Sequence, residues 1–393
     1  MGQIETFLLY ITVILSCTFI SHIAYLKKYI KYKKFFIFLI IFIMAIIAGI
    51  RYEVGSDWLQ YFNGPKIIGN GQYLRGSDKG SYEIGYIIIC KIIFIFGLNG
   101  SALLFVYAFL TYYFLFKVID KYSKIINIPI TVFMYGCLYY LVTFNITRQA
   151  LAISISMYAI SNLDIDYFRN PAINKDKILN FVKHNLSFIL WSIVAFLFHQ
   201  SAIVVLLSLP ICLFMRKNNI VRIISLVIVV FFVINFKEFT QLAIKLTGSS
   251  SFQWYFIGSA GGQGSWIKYI LRYLPILIMF WFSVKQIREN KKIFDIYNLV
   301  LVGLIINGLS VITSTEIERV GFPFLYFITI VLGFAFKNST NIIEIFGLKI
   351  RFPDKTISLL KLFLCLFFVW TMWYIFFKLG SYEVVPYNTI IGI

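Results

Sequence analysis

Apolar runs long enough to cross a bilayer recur from one end of this 393-residue chain to the other, as in "FFIFLIIFIMAIIAGI" at 35–50. A hydrocarbon core needs roughly 17–25 such residues per helix, and little else in protein chemistry produces the pattern repeatedly. A membrane β-barrel is excluded, because its strands would alternate apolar and polar residues. Charged residues make up only 13% of the chain, against about a quarter in soluble domains. The expected fold class is therefore an all-α polytopic membrane protein, one integral domain over 1–393. No polar stretch is long enough for a separate soluble domain.

Charge orients the helices. The net charge of +19 reads as loop topology and attraction to anionic lipid; no nucleic acid partner is expected. The densest basic run, "KKYIKYKK" at 27–34, anchors the first loop in the cytoplasm. Simple alternation from there would put "KVIDKYSK" (117–124) and "DYFRNPAINKDK" (166–177) outside, against their charge. Two adjustments restore the balance. The stretch 187–214, joined to "KILNFVKHN", forms two helices meeting at His199. The stretch 84–97 carries Lys91 and is short, so it fits a re-entrant or interfacial outer helix. The expectation is about twelve spans plus this partial one, with both termini outside and outer loops near 51–82 and 237–266. Roughly two dozen of the 36 Lys and Arg then lie on the cytoplasmic side. The first apolar run lacks a preceding basic residue and reads as a retained helix. All five cysteines sit inside apolar runs with no C-x-x-C pair, so neither disulfides nor a thiolate metal site is supported.

This topology brings Arg51, Asp57, Glu83, Arg148, His199, Glu318 and Arg319 to the outer face. Each has an ordinary reading beside a functional one. Asp57 in "GSDWLQYF" can cap the following helix, and Glu83 suits a helix start. Arg148 in "NITRQ", at a hairpin tip, can snorkel, or bind a phosphate in two-point fashion. His199 in "FHQS" can be a structural hydrogen-bonder, or a general base oriented by Ser201; no companion ligand suggests zinc. Glu316, Glu318 and Arg319 can form an intra-loop ion pair, with Gly321 and Pro323 bending the helix entry. Trp254, Tyr255, Phe256 and Trp266 suit an interfacial belt or a sugar face. "GSAGGQG" lacks the lysine of a nucleotide loop. Ionisable groups gathered at one membrane boundary are functional candidates by default.

At these residues the sequence resembles EpsG-like polysaccharide polymerases, a group that includes many bacterial O-antigen (Wzy-type) and exopolysaccharide polymerases. The resemblance is carried, in order, by "RYEVGSDWLQYF", "SYEIGY", "FNITRQALAIS", "FHQSAIVVLL", Arg319 and the terminal "YEVVPY". Ser56 stands where Thr is usual, which keeps the hydroxyl. The resemblance implies a GT-C-like integral membrane glycosyltransferase of the bacterial cytoplasmic membrane, with its site facing the periplasm or exterior. It would use undecaprenyl-diphosphate-linked oligosaccharides, without cofactor or metal, in contact with the bilayer and with room for a chain-length regulator as partner. His199, Arg148 and Asp57 are then the catalytic candidates: Arg148 for the leaving diphosphate, His199 as leading base, Asp57 and Glu83 as rivals. Arg51, Tyr61, Glu83, Gln149, Glu318 and Arg319 are the substrate-binding candidates. A flippase or transporter would predict internal repeats and mid-membrane charge, which the sequence lacks. An O-antigen ligase shares the donor chemistry and stays open on physics alone.

Overall fold

Inside a bilayer no water pairs with backbone amides, so an apolar run of spanning length satisfies them as helix. The computed structural model describes residues 1–71, 82–166, 175–235, 238, 241, 266–313, 315–345 and 348–390. Its helices begin with α1 (Gln3–Ala24), α2 (Lys33–Gly49), α3 (Trp58–Gly69), α4 (Ile84–Ile95), α5 (Gly100–Tyr122), α6 (Ile128–Tyr135), α7 (Thr147–Ser161), α8 (Lys175–His184) and α9 (Leu186–Phe198). They continue as α10 (Ser208–Met215), α11 (Asn219–Ile234), α12 (Trp266–Trp281), α13 (Val284–Glu289), α14 (Lys291–Leu309), α15 (Thr315–Leu325), α16 (Ile328–Asn338) and α17 (Asp354–Trp373).

Among the described residues six helical segments are long and apolar enough to cross a membrane, including 3–24, 27–49 and 100–122, and several shorter apolar helices accompany them. The chain is a polytopic membrane protein. One detail departs from the all-helical expectation: an antiparallel hairpin of β1 (Ile342–Ile345) and β2 (Leu348–Arg351) joins α16 to α17. The expected outer partial helix is α4, whose 12 residues reach only about 18 Å at helical rise.

The core forms around α7, of whose 15 residues all but Arg148 and Tyr158 are buried. It packs between α5 and α9, while α5 also meets α2. At the other extreme α11 buries only Val233 and exposes Ile223, Val227 and Phe231, as a lipid-facing helix does. Small residues allow the close approaches. Gly49 lies against the backbone of Phe105, and Gly136 against Ile14.

At one end of the bundle, the broken end, the helices give way to other turns. α6 runs into a π-turn (Gly136–Tyr140) and a 3₁₀ turn (Val142–Phe144) before α7 begins. α9 stops at His199, and a 3₁₀ segment Gln200–Leu207 leads into α10. Pro323 lies inside α15, rather than at the entry the sequence suggested. The opposite end carries ion pairs: Lys33 pairs with Asp120, Arg216 with Asp295 and Asp166, and Lys121 donates to Asn162 at 2.6 Å.

Gly100 tests the packing of α5 on α3. A Cβ there would stand 2.1 Å from the Phe62 carbonyl oxygen and 2.3 Å from its Cα. Backbone cannot swing aside as a side chain can. Gly100→Ala should destabilise the fold by about 1–3 kcal/mol or more, read as a lower thermal unfolding temperature in detergent.

Candidate active site

The broken end of the bundle holds almost every residue singled out by sequence. Arg51 follows α2 and is 1% exposed. Its guanidinium donates to the carbonyls of Ala48 (2.9 Å) and Phe144 (2.8 Å) and lies over the Phe144 ring at 4.6 Å. Ala48 lies in the last turn of α2, where carbonyls run out of helical partners. Arg51 thus ties α2 to the turn before α7 and does not open onto the surface.

The loop after Arg51 turns through left-handed backbone at Glu53 (φ 53°) and Gly55 (φ 94°). A Cβ at Gly55 would lie 2.9 Å from Asn145 Oδ1. The next residue, Ser56, donates to that same oxygen at 3.0 Å. Asp57 occupies the N-cap position of α3, but its side chain makes no capping hydrogen bond, which corrects the capping expectation. It is half-buried within the field of Arg319, Arg148 and Arg51. Burial outweighs those cations and holds its carboxyl above the usual value of 3.8.

Arg148, in the first turn of α7, sends Nη1 to Glu83 Oε2 at 2.5 Å. Glu83 is the N-cap residue of α4, again without a side-chain cap. The guanidinium faces three tyrosine rings, Tyr86 at 5.0 Å, Tyr82 at 5.8 Å and Tyr61 at 5.9 Å. Its Nε is buried and has no protein partner. Tyr61 forms the buried floor beneath it, only 3% exposed.

His199 ends α9 and caps the 3₁₀ segment that follows. The backbone N–H of Ser201 donates to its Nδ1 at 3.2 Å, and the Ser201 hydroxyl lies 2.8 Å from the same nitrogen. Gln149 Nε2 donates to that hydroxyl oxygen at 3.3 Å, leaving its proton free to point at Nδ1. A backbone N–H can only donate, so Nδ1 is the acceptor and the neutral ring carries its proton on Nε2. Burial, then the charges of Arg148 and Arg319, push the imidazole down from 6.5 to about 3. A neutral ring with Nδ1 occupied is a hydrogen-bond donor through Nε2–H. To act as the base suggested by sequence, the ring would have to accept through Nε2, which carries the proton in this arrangement.

Gln149 is 2% exposed and also donates to the Arg319 carbonyl at 2.9 Å. Pro323 explains why that carbonyl is available. Proline lacks the N–H that would pair with the residue four positions back, which is Arg319. Arg319 itself is exposed, and its charge reaches Asp57 and His199. Its neighbour Glu318 instead faces the buried guanidinium of Arg272 and the tyrosines 273, 326 and 382.

The structure therefore brings Asp57, Tyr61, Glu83, Arg148, Gln149, His199 and Arg319 together, with Arg51 beneath and Glu318 to one side. Sequence reasoning passed over Asn145, buried at 4% exposure, and Arg272. The latter had a visible signal, a charge in the apolar run of α12, four residues after Lys268. Trp254, Tyr255 and Phe256 lie outside the described residues, as does the side chain of Glu316; Trp266 opens α12 and is exposed. Among the described residues no three His, Cys, Asp or Glu side chains gather as a metal site would require.

Comparison with known proteins gives one match. The family model described as the EpsG family covers residues 34–389, spanning every site residue named above. No curated protein and no solved structure matches the chain.

The lowered basicity of His199 sets a sign for acid stability. The unfolded chain takes up a proton on this residue near pH 6.5, whereas the folded chain resists it down to about 3. Its stabilising contribution is complete above pH 6.5 and drains away as pH falls toward 3. His199→Gln, which does not titrate, should therefore lose less unfolding temperature than the wild type between pH 7 and pH 5.

Proposed function

The chain belongs to the EpsG family of Wzy-like polysaccharide polymerases, and from that premise we propose that it joins undecaprenyl-diphosphate-linked oligosaccharide repeat units into O-antigen or exopolysaccharide. In this reading the chain crosses the bacterial cytoplasmic membrane about twelve times in a GT-C-like arrangement. The broken end of the bundle faces the periplasm or exterior, and the lysine-rich end faces the cytosol, as the positive-inside rule requires. Both lipid tails stay in the bilayer while the sugars react at headgroup depth.

The observation that carries the proposal is Arg148. It is a planar fork at a membrane boundary, held by one nitrogen to Glu83 with a second nitrogen unpartnered, and flanked by Asp57, His199 and Arg319. Such a fork matches a phosphate group in two-point fashion. As the bond between the donor's anomeric carbon and its diphosphate oxygen breaks, the electron pair leaves with the undecaprenyl diphosphate. Charge on that oxygen grows, so a guanidinium placed there stabilises the transition state more than the ground state. Arg319 supports the same developing charge, and the Nε2–H of His199 donates to a phosphate or sugar oxygen.

The acceptor hydroxyl of the incoming unit attacks the anomeric carbon and gives its proton to a base. Asp57 is the better candidate. Its carboxylate is half-buried and more basic than usual, whereas His199 is less basic and Glu83 is held by Arg148. One new glycosidic bond forms as one glycosyl–phosphate bond breaks, and the carboxyl holds the proton. Arg51 and Gln149 act in this reading through the loops they tie together.

Arg148→Lys should cost about 10²–10³-fold in polymer formed from purified lipid-linked repeat units, with membrane insertion unchanged. A normal ladder of chain lengths from that variant would end the phosphate role. The rate should also fall toward acid pH through a carboxyl group titrating above 3.8, with no imidazole step near 6.5. Asp57→Asn should remove the acid limb along with most of the rate, while His199→Gln, whose amide can stand in for Nε2–H, should keep more activity than His199→Ala.

A further inference from the structure

The terminal motif "YEVVPY" (382–387) has no part in the chemistry above, yet the chain returns through it to the centre of the site. Past α17, residues 380–390 lie across the broken end as a strap. The Tyr10 hydroxyl donates to the Val384 carbonyl at 2.8 Å. The Tyr387 amide donates to Thr6 Oγ1 at 3.0 Å, and its phenol to the Ile47 carbonyl at 2.7 Å. Further along, Thr389 bridges Arg51, and the Ile390 amide donates to the Ile50 carbonyl at 3.0 Å.

Two contacts reach the reacting groups more closely. Asn145 Nδ2 donates to the Tyr382 carbonyl at 2.7 Å, and the Gly55 amide donates to the Glu383 carbonyl at 2.8 Å. Asn145 also accepts from Ser56. Gly55 and Ser56 lead directly into Asp57, and Asn145 lies three residues before Arg148. The junction of Ser56, Asn145, Tyr382 and Glu383 therefore joins the base loop to the guanidinium helix.

The backbone at this junction is unusual. Tyr382 (φ 69°) and Glu383 (φ 51°) are both left-handed, a conformation that side chains other than glycine adopt rarely. The purpose is visible in the carbonyls. A helical residue of either hand sets the carbonyls on its two sides nearly parallel, whereas an extended residue points them in opposite directions. Here the positive φ of Glu383 accompanies two successive carbonyls that both find partners, that of 382 in Asn145 and that of 383 in Gly55. Strain of this kind persists where the surroundings enforce it, and it concentrates at working sites.

We infer that Tyr382 and Glu383 are positioning residues, whose paired carbonyls set the separation between the Asp57 loop and the Arg148 helix through Gly55 and Asn145. The inference rests on the polymerase reading for its kinetic consequence, though not for its structural one. Displacement of a reacting group by about 1 Å can cost 10²-fold in rate, so the effect belongs in kcat rather than in substrate affinity.

The test pairs chain extension from purified lipid-linked repeat units with hydrogen exchange at the Gly55 amide. Glu383→Val, β-branched and averse to positive φ, should lower kcat about 10–100-fold with KM within about threefold. It should also speed Gly55 exchange by about tenfold or more. Glu383→Asn tolerates the left-handed region and should match the wild type in both. Asn145→Asp keeps the oxygen facing Ser56 but loses the amide to Tyr382, and should lower kcat to a similar degree in a chain that folds normally. Wild-type kcat and exchange in Glu383→Val would overturn the inference, as would equal damage from Glu383→Asn. If the valine variant does not fold, unchanged kcat in Asn145→Asp overturns it alone. A wild-type chain that makes no polymer would count against the polymerase reading, and the exchange comparison would still decide the placement of the strap.

Discussion

A backbone that leaves the helix inside or beside a bilayer must find partners for every carbonyl and amide it frees, and this constraint organises the site. The chain breaks its helices near 136–146, at His199 and at Pro323. Each break exposes polar backbone, and a nearby side chain covers it. Arg51 takes the carbonyl of Phe144, and Gln149 takes the one that Pro323 leaves free on Arg319. His199 accepts the amide of Ser201, and Asn145 covers Tyr382. Buried groups left without such partners cost several kcal/mol each in hydrocarbon surroundings, so these side chains are bound to the fold before any substrate arrives.

That economy divides the guanidiniums into two kinds. Arg51 gives two of its nitrogens to backbone carbonyls and packs on Phe144, which makes it a brace. Arg148 is one of two residues on α7 that escape full burial; it leans on the Glu83 carboxylate instead of on backbone. The pair of Arg148 and Glu83 is only partly buried, with side-chain exposures of 19% and 11%. Burial and then the cations of Arg148 and Arg319 disfavour a proton on His199. The cations act on Asp57 in the same sense, but there they oppose the effect of burial instead of adding to it. Burial, not the field, thus separates the imidazole, which it lowers, from the carboxylate, which it raises.

Much of this was legible along the chain. Apolar runs of spanning length leave helix as the solution, because no other structure pairs the backbone within one segment of lipid-facing chain. Lysine and arginine placement sorted the loops, so Asp57, Glu83, Arg148, His199 and Arg319 were assigned to one end before any contact was known. The short span at 84–95 and the break at His199 were likewise visible as length and composition. Local signals such as these need only neighbours in sequence.

Roles were not legible, because they depend on partners far away in the chain. Arg51 and Arg148 look alike as charges at a membrane boundary; only the arrival of Phe144 over one and Glu83 beside the other tells them apart. The proton on His199 is placed by Gln149 and Ser201, on two different elements. Nor could the strap be read in advance, since "YEVVPY" carries no charge pattern that announces a return to Gly55 and Asn145 across more than two hundred residues. Sequence determined what could lie in the membrane and at which end the ionisable groups gather, for those follow from the cost of burying each residue alone. Tertiary structure decided which of them are consumed by the backbone and which remain for chemistry, because hydrogen bonds are settled by distance in space.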